Sequence, residues 1–149
     1  VESLAQAFPD WSGEIRLWRD AWLAMASPDI PGTAELLRAL RGHGIPVYAL
    51  SNFGRETFEV AQTTYPVLTE FDGMVISGHH GTIKPEPKIY ELTEELAGIA
   101  PEKLLFTDDK QENIDAAKAR GWQTHLFDGP EGLSDRLHQD GLLPERVVL

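Results

Sequence analysis

Four short apolar runs, each followed within a few residues by a stretch of helical periodicity, constrain this chain more than any other feature. The runs span 46–50 (Pro-Val-Tyr-Ala-Leu), 71–77, 103–107 and 122–127. The helical stretches cover 55–64, 87–97, 111–119 and 131–139, with Pro87 suited to a first helical turn and Gly121 closing the third. Continuous apolar runs of this length mark strands buried on both faces. Strands that alternate with helices over short connections wind into a parallel sheet with helices on both sides. The expected class is therefore α/β, a Rossmann-like three-layer parallel sheet. Upstream, Ile15, Trp18, Trp22 and Met25 recur at three or four residues and predict one helix over 14–26, broken by Ser27-Pro28-Asp29-Ile30-Pro31-Gly32. Thr33 is the expected cap of a helix over 34–41, and residues 141–149 are too few to assign.

Composition narrows the function classes. The chain has 149 residues, 42% of them hydrophobic and 25% charged, enough for one domain with a real core. Its net charge of −11 argues against a nucleic-acid partner, which needs clustered Lys and Arg. With no cysteine, disulfides, thiolate zinc sites and a cysteine nucleophile are excluded. No apolar run approaches the roughly 20 residues of a membrane span, and the N-terminus shows no signal-peptide pattern. A cytoplasmic location without a membrane or nucleic-acid partner is the resulting expectation.

In open parallel sheets, ligands bind beyond the carboxyl ends of the strands. Ser51 and Asn52 follow the 46–50 run, Lys84 lies in the loop after 71–77, and Asp108 and Asp109 follow 103–107, with Asn113 four residues on. A hydroxyl, a lysine and a pair of carboxylates on one sheet edge suit an anionic oxygen ligand with a divalent cation. Hard carboxylate oxygens suit magnesium, and Lys84 offers a point charge for phosphate. Adjacent carboxylates repel one another, so a cation is the expected reason that Asp108 and Asp109 tolerate each other. Each feature also has a plainer explanation. Ser51-Asn52 can be a turn and cap, Lys84 a surface lysine, and the two acids a helix N-terminal charge. His79 and His80 read as a loop feature, not as metal ligands, and Trp11, Trp18 and Trp22 as core or lid packing. It is the order and spacing of the three strand-end features together that is specific.

The segments VYALSNFG, IKPEPKIY and LLFTDDKQENIDAAKARGW resemble, in order, the second, third and fourth motifs of the haloacid dehalogenase-like hydrolase superfamily. The resemblance covers residues 30 to 128 and is similar to the group with an α-helical cap after the first strand. It implies that residues 1–29 are the C-terminal part of that cap and 30–149 the hydrolase core. The family's first motif, Asp-x-Asp at the end of the first strand, supplies the nucleophile. None of the ten aspartates here stands in that spacing. In the family that strand lies between those read here at 46–50 and 103–107. The expectation is thus a C-terminal portion whose central strand comes from outside residues 1–149 or is rearranged, since unpaired strand edges inside a core are costly.

The resemblance implies hydrolysis of a small phosphorylated metabolite through an aspartyl-phosphate, with Mg2+ as cofactor. Ser51, Lys84 and Asp108 would be catalytic. Ser51, Asn52 and Lys84 would bind substrate. Asp108 and Asp109 would hold the metal, with Asp109 the favoured direct ligand, and Asn113 would support the site by orienting Lys84. Three alternatives stand beside this. A metal-free 2-haloacid dehalogenase is disfavoured by the two extra negative charges. A receiver-like signalling domain is disfavoured because neither Leu50 nor Ser77 is followed by an Asp. The third is an inactive fragment, since without a nucleophile the chain by itself is not expected to turn over. Oligomeric state and substrate identity have no signal in the sequence.

Overall fold

A computed structural model describes residues 1–147. Val148 and Leu149, the end of the segment assigned to the core, lie outside the described residues. In chain order the elements are α1 (Glu2–Ala7), α2 (Ser12–Asp20), α3 (Trp22–Met25), α4 (Thr33–Gly42), β1 (Tyr48–Ser51), α5 (Arg55–Thr64), β2 (Gly73–Ile76), α6 (Ser77–His80), α7 (Pro87–Ala97), β3 (Leu105–Asp108), α8 (Gln111–Ala119), β4 (Gln123–Leu126) and α9 (Pro130–Gln139). All four strands overlap the predicted apolar runs, but β1 and β3 run one residue further, so that Ser51 and Asp108, expected just after the strands, are their last residues. Each is four residues long, because the flanking apolar residues serve as connections into and out of the sheet.

The strands form two separate parallel pairs among the described residues, β1 with β2 and β3 with β4. Their registers place Ser51 opposite Ile76 and Asp108 opposite Leu126, so each pair's carboxyl ends are level. This is an α/β architecture with part of a Rossmann-like core, and no hydrogen-bonded ladder joins β1 to β3. A continuous sheet built from these residues alone would have contradicted the expectation of an absent central strand.

Period-two alternation decides which face each strand residue meets. Phe106 packs with Val75, Ile89, Tyr90, Ile114 and Trp122 beneath α7 and α8. Its neighbour Leu105 turns to the other face and packs against Leu36, Leu137 and Leu143, with α4 and α9. Helices therefore cover the strands on both sides. Tyr90, Phe106 and Trp122 make three mutual edge-to-face contacts with centroids 5.5–6.0 Å apart, a favoured aromatic geometry. The polar edge of Trp122 is also satisfied, since its Nε1 donates to Glu94 at 2.8 Å. α7 begins with Pro87 at its first turn, where the missing N–H costs nothing. It ends at Gly98, whose φ of 64° is the left-handed C-cap conformation that glycine adopts without strain.

The N-terminal segment departs from its sequence reading. The single helix expected over 14–26 is two, α2 and α3, divided at Ala21, and α1 precedes them. Trp11 and Trp18 are not core residues: they are 64% and 60% exposed. Periodicity reports that a helix has an apolar stripe, whereas burial needs a partner surface, and among the described residues none covers Trp11 or Trp18. Trp22 does find a partner, the ring of Phe53 at 5.0 Å. Thr33 is not the cap of α4. Gly32 holds that position, and Thr33 is the first helical residue, its hydroxyl donating to the Ile30 carbonyl at 2.8 Å. His79 and His80 close the short helix α6 instead of lying in a loop.

Candidate active site

β3 delivers Asp108 to the sheet's carboxyl edge, and the chain turns there into α8. Asp108 is 9% exposed, and both of its oxygens are engaged. Oδ2 accepts from the Lys84 ammonium at 2.6 Å. Oδ1 accepts from the Lys110 backbone N–H and from Asn113 Nδ2, both at 2.9 Å. Bonding from an Asp side chain to the amide two residues on is an Asx-turn, a habit that makes Asp frequent where a strand gives way to a helix. Burial by itself pushes the Asp108 carboxyl upward and is the largest single influence. The hydrogen bonds from Lys84, Asn113 and Lys110, with the lysine's charge, together outweigh it and hold the group below its ordinary value.

Lys84 reaches this carboxylate from the loop between α6 and α7. The ion pair is dry, with side-chain exposures of 10% for Lys84 and 5% for Asp108. The same ammonium donates to the Leu50 carbonyl on β1 at 2.9 Å and stands 5.5 Å from the centre of the Phe106 ring, within cation–π range. One side chain therefore bridges the ends of β1 and β3, the two strands that no ladder connects. Its backbone is clamped as well. Asn52 Oδ1 accepts from the Lys84 N–H at 2.7 Å, and Asn52 Nδ2 donates to the Lys84 carbonyl at 2.9 Å.

These contacts revise several expectations. The buried member of the acidic pair, Asp108, has a cation of the protein's own, the Lys84 ammonium. Asn113 does not orient Lys84 directly: its amide grips Asp108, and its Oδ1 is buried without a hydrogen-bond partner. Asn52, read as a substrate contact, has both polar atoms of its amide on the Lys84 backbone. Ser51 ends β1 at the same sheet edge, half-buried. Asp109 is exposed, and none of the ion pairs among the described residues involves it. Sequence reasoning missed the roles of Phe106, Tyr90 and the Lys110 amide. Only the last had a local signal, the Asx-turn spacing. Tyr90 is fully buried and donates its hydroxyl to the Asn113 carbonyl at 3.1 Å. Burial, followed by the charges of Asp108 and Glu112, pushes that phenol up to about 12, so it stays a donor at neutral pH.

The donor set bears on a metal. Magnesium takes oxygen ligands and is commonly held by one or two carboxylates, with waters and substrate phosphates completing its shell. Asp109, an unpaired carboxylate beside a buried one, fits the lower end of that requirement. Among the described residues no three His, Cys, Asp or Glu side chains converge as a metal cluster. His79 stacks edge-on to Phe58 with centroids 6.0 Å apart.

A family model for haloacid dehalogenase-like hydrolases matches residues 2–121. The chain belongs to this family of hydrolases. Haloacetate dehalogenase H-2 of a Moraxella species is 32% identical over 114 residues, 76% of this chain and 50% of that protein. A sesquiterpene phosphatase of Aspergillus oryzae is 34% identical over 102 residues, 68% of this chain and 52% of that protein. A solved structure of a family enzyme from Bacteroides thetaiotaomicron, in complex with magnesium and inorganic phosphate, aligns with a TM-score of 0.59 at 30% identity. The alignment covers 65% of this chain and 52% of that one. The chain thus spans about half the length of the curated relatives it matches.

Proposed function

We propose that the complete protein containing this chain is a magnesium-dependent phosphatase acting on a small phosphorylated metabolite, with the attacking Asp supplied from outside residues 1–149. The observation that carries the reading is the division of labour between the two acids. Asp108 is neutralised by Lys84 and hydrogen-bonded through both oxygens, whereas the adjacent Asp109 is an exposed carboxylate with no cation of its own among the described residues. A magnesium ion held by Asp109, with Asp108 nearby, would offset negative charge on phosphoryl oxygens. Lys84, anchored on Leu50 and Asp108, retains one N–H with which to meet an anionic oxygen. Held in a dry site, that charge requires no reorganisation at the moment of reaction. Ser51 offers a hydroxyl donor from the end of β1, Asn52 keeps the Lys84 loop in place, and Asn113 keeps the Asp108 carboxylate turned toward the lysine. The complex of the Bacteroides enzyme with magnesium and phosphate supports this reading. The proposed domain division is a partial helical cap over 1–29 and a core over 30–149, and the proposed location is the cytoplasm.

A second reading, a dehalogenase of small halo acids, is favoured by the similarity to haloacetate dehalogenase H-2. The unpaired Asp109 weighs against it, because a site for a carboxylate substrate gains nothing from a further uncompensated negative charge. The deciding assay measures phosphate release from a panel of phosphate monoesters, with and without magnesium, beside halide release from haloacetate and 2-haloacids. Phosphate release that chelation abolishes supports the first reading. Halide release indifferent to chelation replaces it with the second.

A further inference from the structure

The chain leaves β1 at Ser51, and the next two residues decide where Lys84 stands, because Asn52 holds the backbone of that lysine through both polar atoms of its amide. A loop of this kind is normally mobile. Here Phe53, one residue on, is pinned by Ser77, the residue that follows β2 and opens α6. The Ser77 hydroxyl accepts from the Phe53 N–H at 2.9 Å and donates to the Phe53 carbonyl at 3.2 Å. The Gly78 N–H donates to the same carbonyl at 2.9 Å. Ser77 is 6% exposed, so these bonds form out of competition with water. The fit leaves no slack: a Cβ on Gly78 would stand 2.5 Å from the Arg55 nitrogen and 2.7 Å from the Phe53 oxygen, both backbone atoms. The ladder between β1 and β2 ends at Ser51 and Ile76. The serine hydroxyl therefore continues the pairing by one step where the two backbones have begun to diverge.

We propose that Ser77 is a positioning residue of the site: by fixing the backbone of Phe53 it holds the Asn52 amide against Lys84, and so keeps the lysine ammonium between Leu50 and Asp108. The path runs through direct contacts throughout, from the Ser77 hydroxyl to the Phe53 backbone, the Asn52 amide, the Lys84 backbone, and the Lys84 ammonium on Asp108. The inference rests on the assignment of Lys84 to the site, but its test needs no turnover, so failure of the phosphatase reading and failure of this one are separable.

The test is amide hydrogen exchange, read residue by residue in the complete protein and in its Ser77→Ala, Ser77→Thr and Asn52→Ala variants. A lost hydrogen bond of ordinary strength corresponds to about ten-fold faster exchange of the amides it holds. In Ser77→Ala the Phe53 and Lys84 amides are expected to exchange about ten-fold faster, while Phe106 and Gln123 in the β3–β4 pair, the latter donating to the Leu104 carbonyl at 2.9 Å, are unchanged. Ser77→Thr, which keeps the hydroxyl, restores both amides, and Asn52→Ala accelerates Lys84 alone. Faster exchange at Phe53 with Lys84 unmoved would reduce Ser77 to a local strand-end cap and overturn the proposal. Equal acceleration at all four amides would also overturn it, by showing a loss of global stability. If Ser77→Ala does not fold, Ser77→Cys, which keeps the size but weakens both hydrogen bonds, takes its place: Phe53 and Lys84 must both exchange faster, and an unmoved Lys84 overturns the proposal.

Discussion

The region around Lys84 and Asp108 and the helical segment at residues 2–25 handle the same materials in opposite ways. In the first, aromatic surface is enclosed and charge is buried only with partners: Tyr90, Phe106 and Trp122 close a floor on which a dry ion pair sits, each oxygen of Asp108 bonded. In the second, Phe8, Trp11, Leu17, Trp18 and Met25 are each more than half exposed, and ion pairs such as Arg16 with Glu2 and Arg19 with Asp20 lie at the surface. Both regions have amphipathic sequences. What separates them is the presence of a complementary face, which turns an apolar stripe into stability in one case and leaves it as surface in the other.

The largest effect expected from this contrast is catalytic. In the complete protein, Lys84→Ala and Asp109→Ala should each lower kcat by about 10³-fold, the scale of losing a preorganised electrostatic contact. Near-normal turnover in either variant removes that residue from the mechanism. Next comes stability. Asp108→Ala strands a buried ammonium and should cost about 3–5 kcal/mol in urea unfolding. Phe106→Ala should cost a similar amount, about 3–5 kcal/mol, by opening a cavity under that ammonium. Trp18→Ala should shift stability by no more than about 0.5 kcal/mol, because a surface side chain has little packing to lose. A loss above about 2 kcal/mol there would mean that the exposed stripe is covered in solution, and the contrast between the two regions would collapse.

A subtler prediction concerns pH. The folded Asp108 carboxyl lies below its ordinary value, so the ionised form contributes stability above the unfolded value, about pH 3.9. That contribution is lost as pH falls through the folded value. Unfolding free energy should therefore fall more steeply with acidification below about pH 4 in the wild type than in Asp108→Asn, which has no proton to take up at this site. Parallel pH profiles would show that the ion pair is not coupled to folding. Smallest of all, Arg16→Ala should leave the thermal midpoint unchanged, since its pair with Glu2 lies in solvent.

Much of the fold was readable because buried strands and amphipathic helices write their period into the chain. α5 occupies the predicted residues 55–64, and α8 the predicted 111–119. The placement of Ser51 and Asp108 at the strands' carboxyl ends was readable for a related reason: residues at the end of a parallel run must emerge at its carboxyl edge. What was not readable were the partners. Nothing local in Asn52 says that its amide will meet a backbone 32 residues away, nor that Asn113 will choose Asp108 over Lys84. Nothing in the stripe of Trp11 and Trp18 says whether a surface will cover it.

The sequence by itself determined the class of the molecule, α/β with polar and charged residues at the strand ends, because period and order are local properties. It also determined the identity of the site's charges. Only the tertiary structure decided how those charges are shared. Which of two adjacent aspartates is buried depends on which side chain the turn after β3 directs inward. Once Asp108 is inside, desolvation requires a partner, and Lys84 is the cation that the fold brings within 2.6 Å. Asp109 is left in solvent by the same turn.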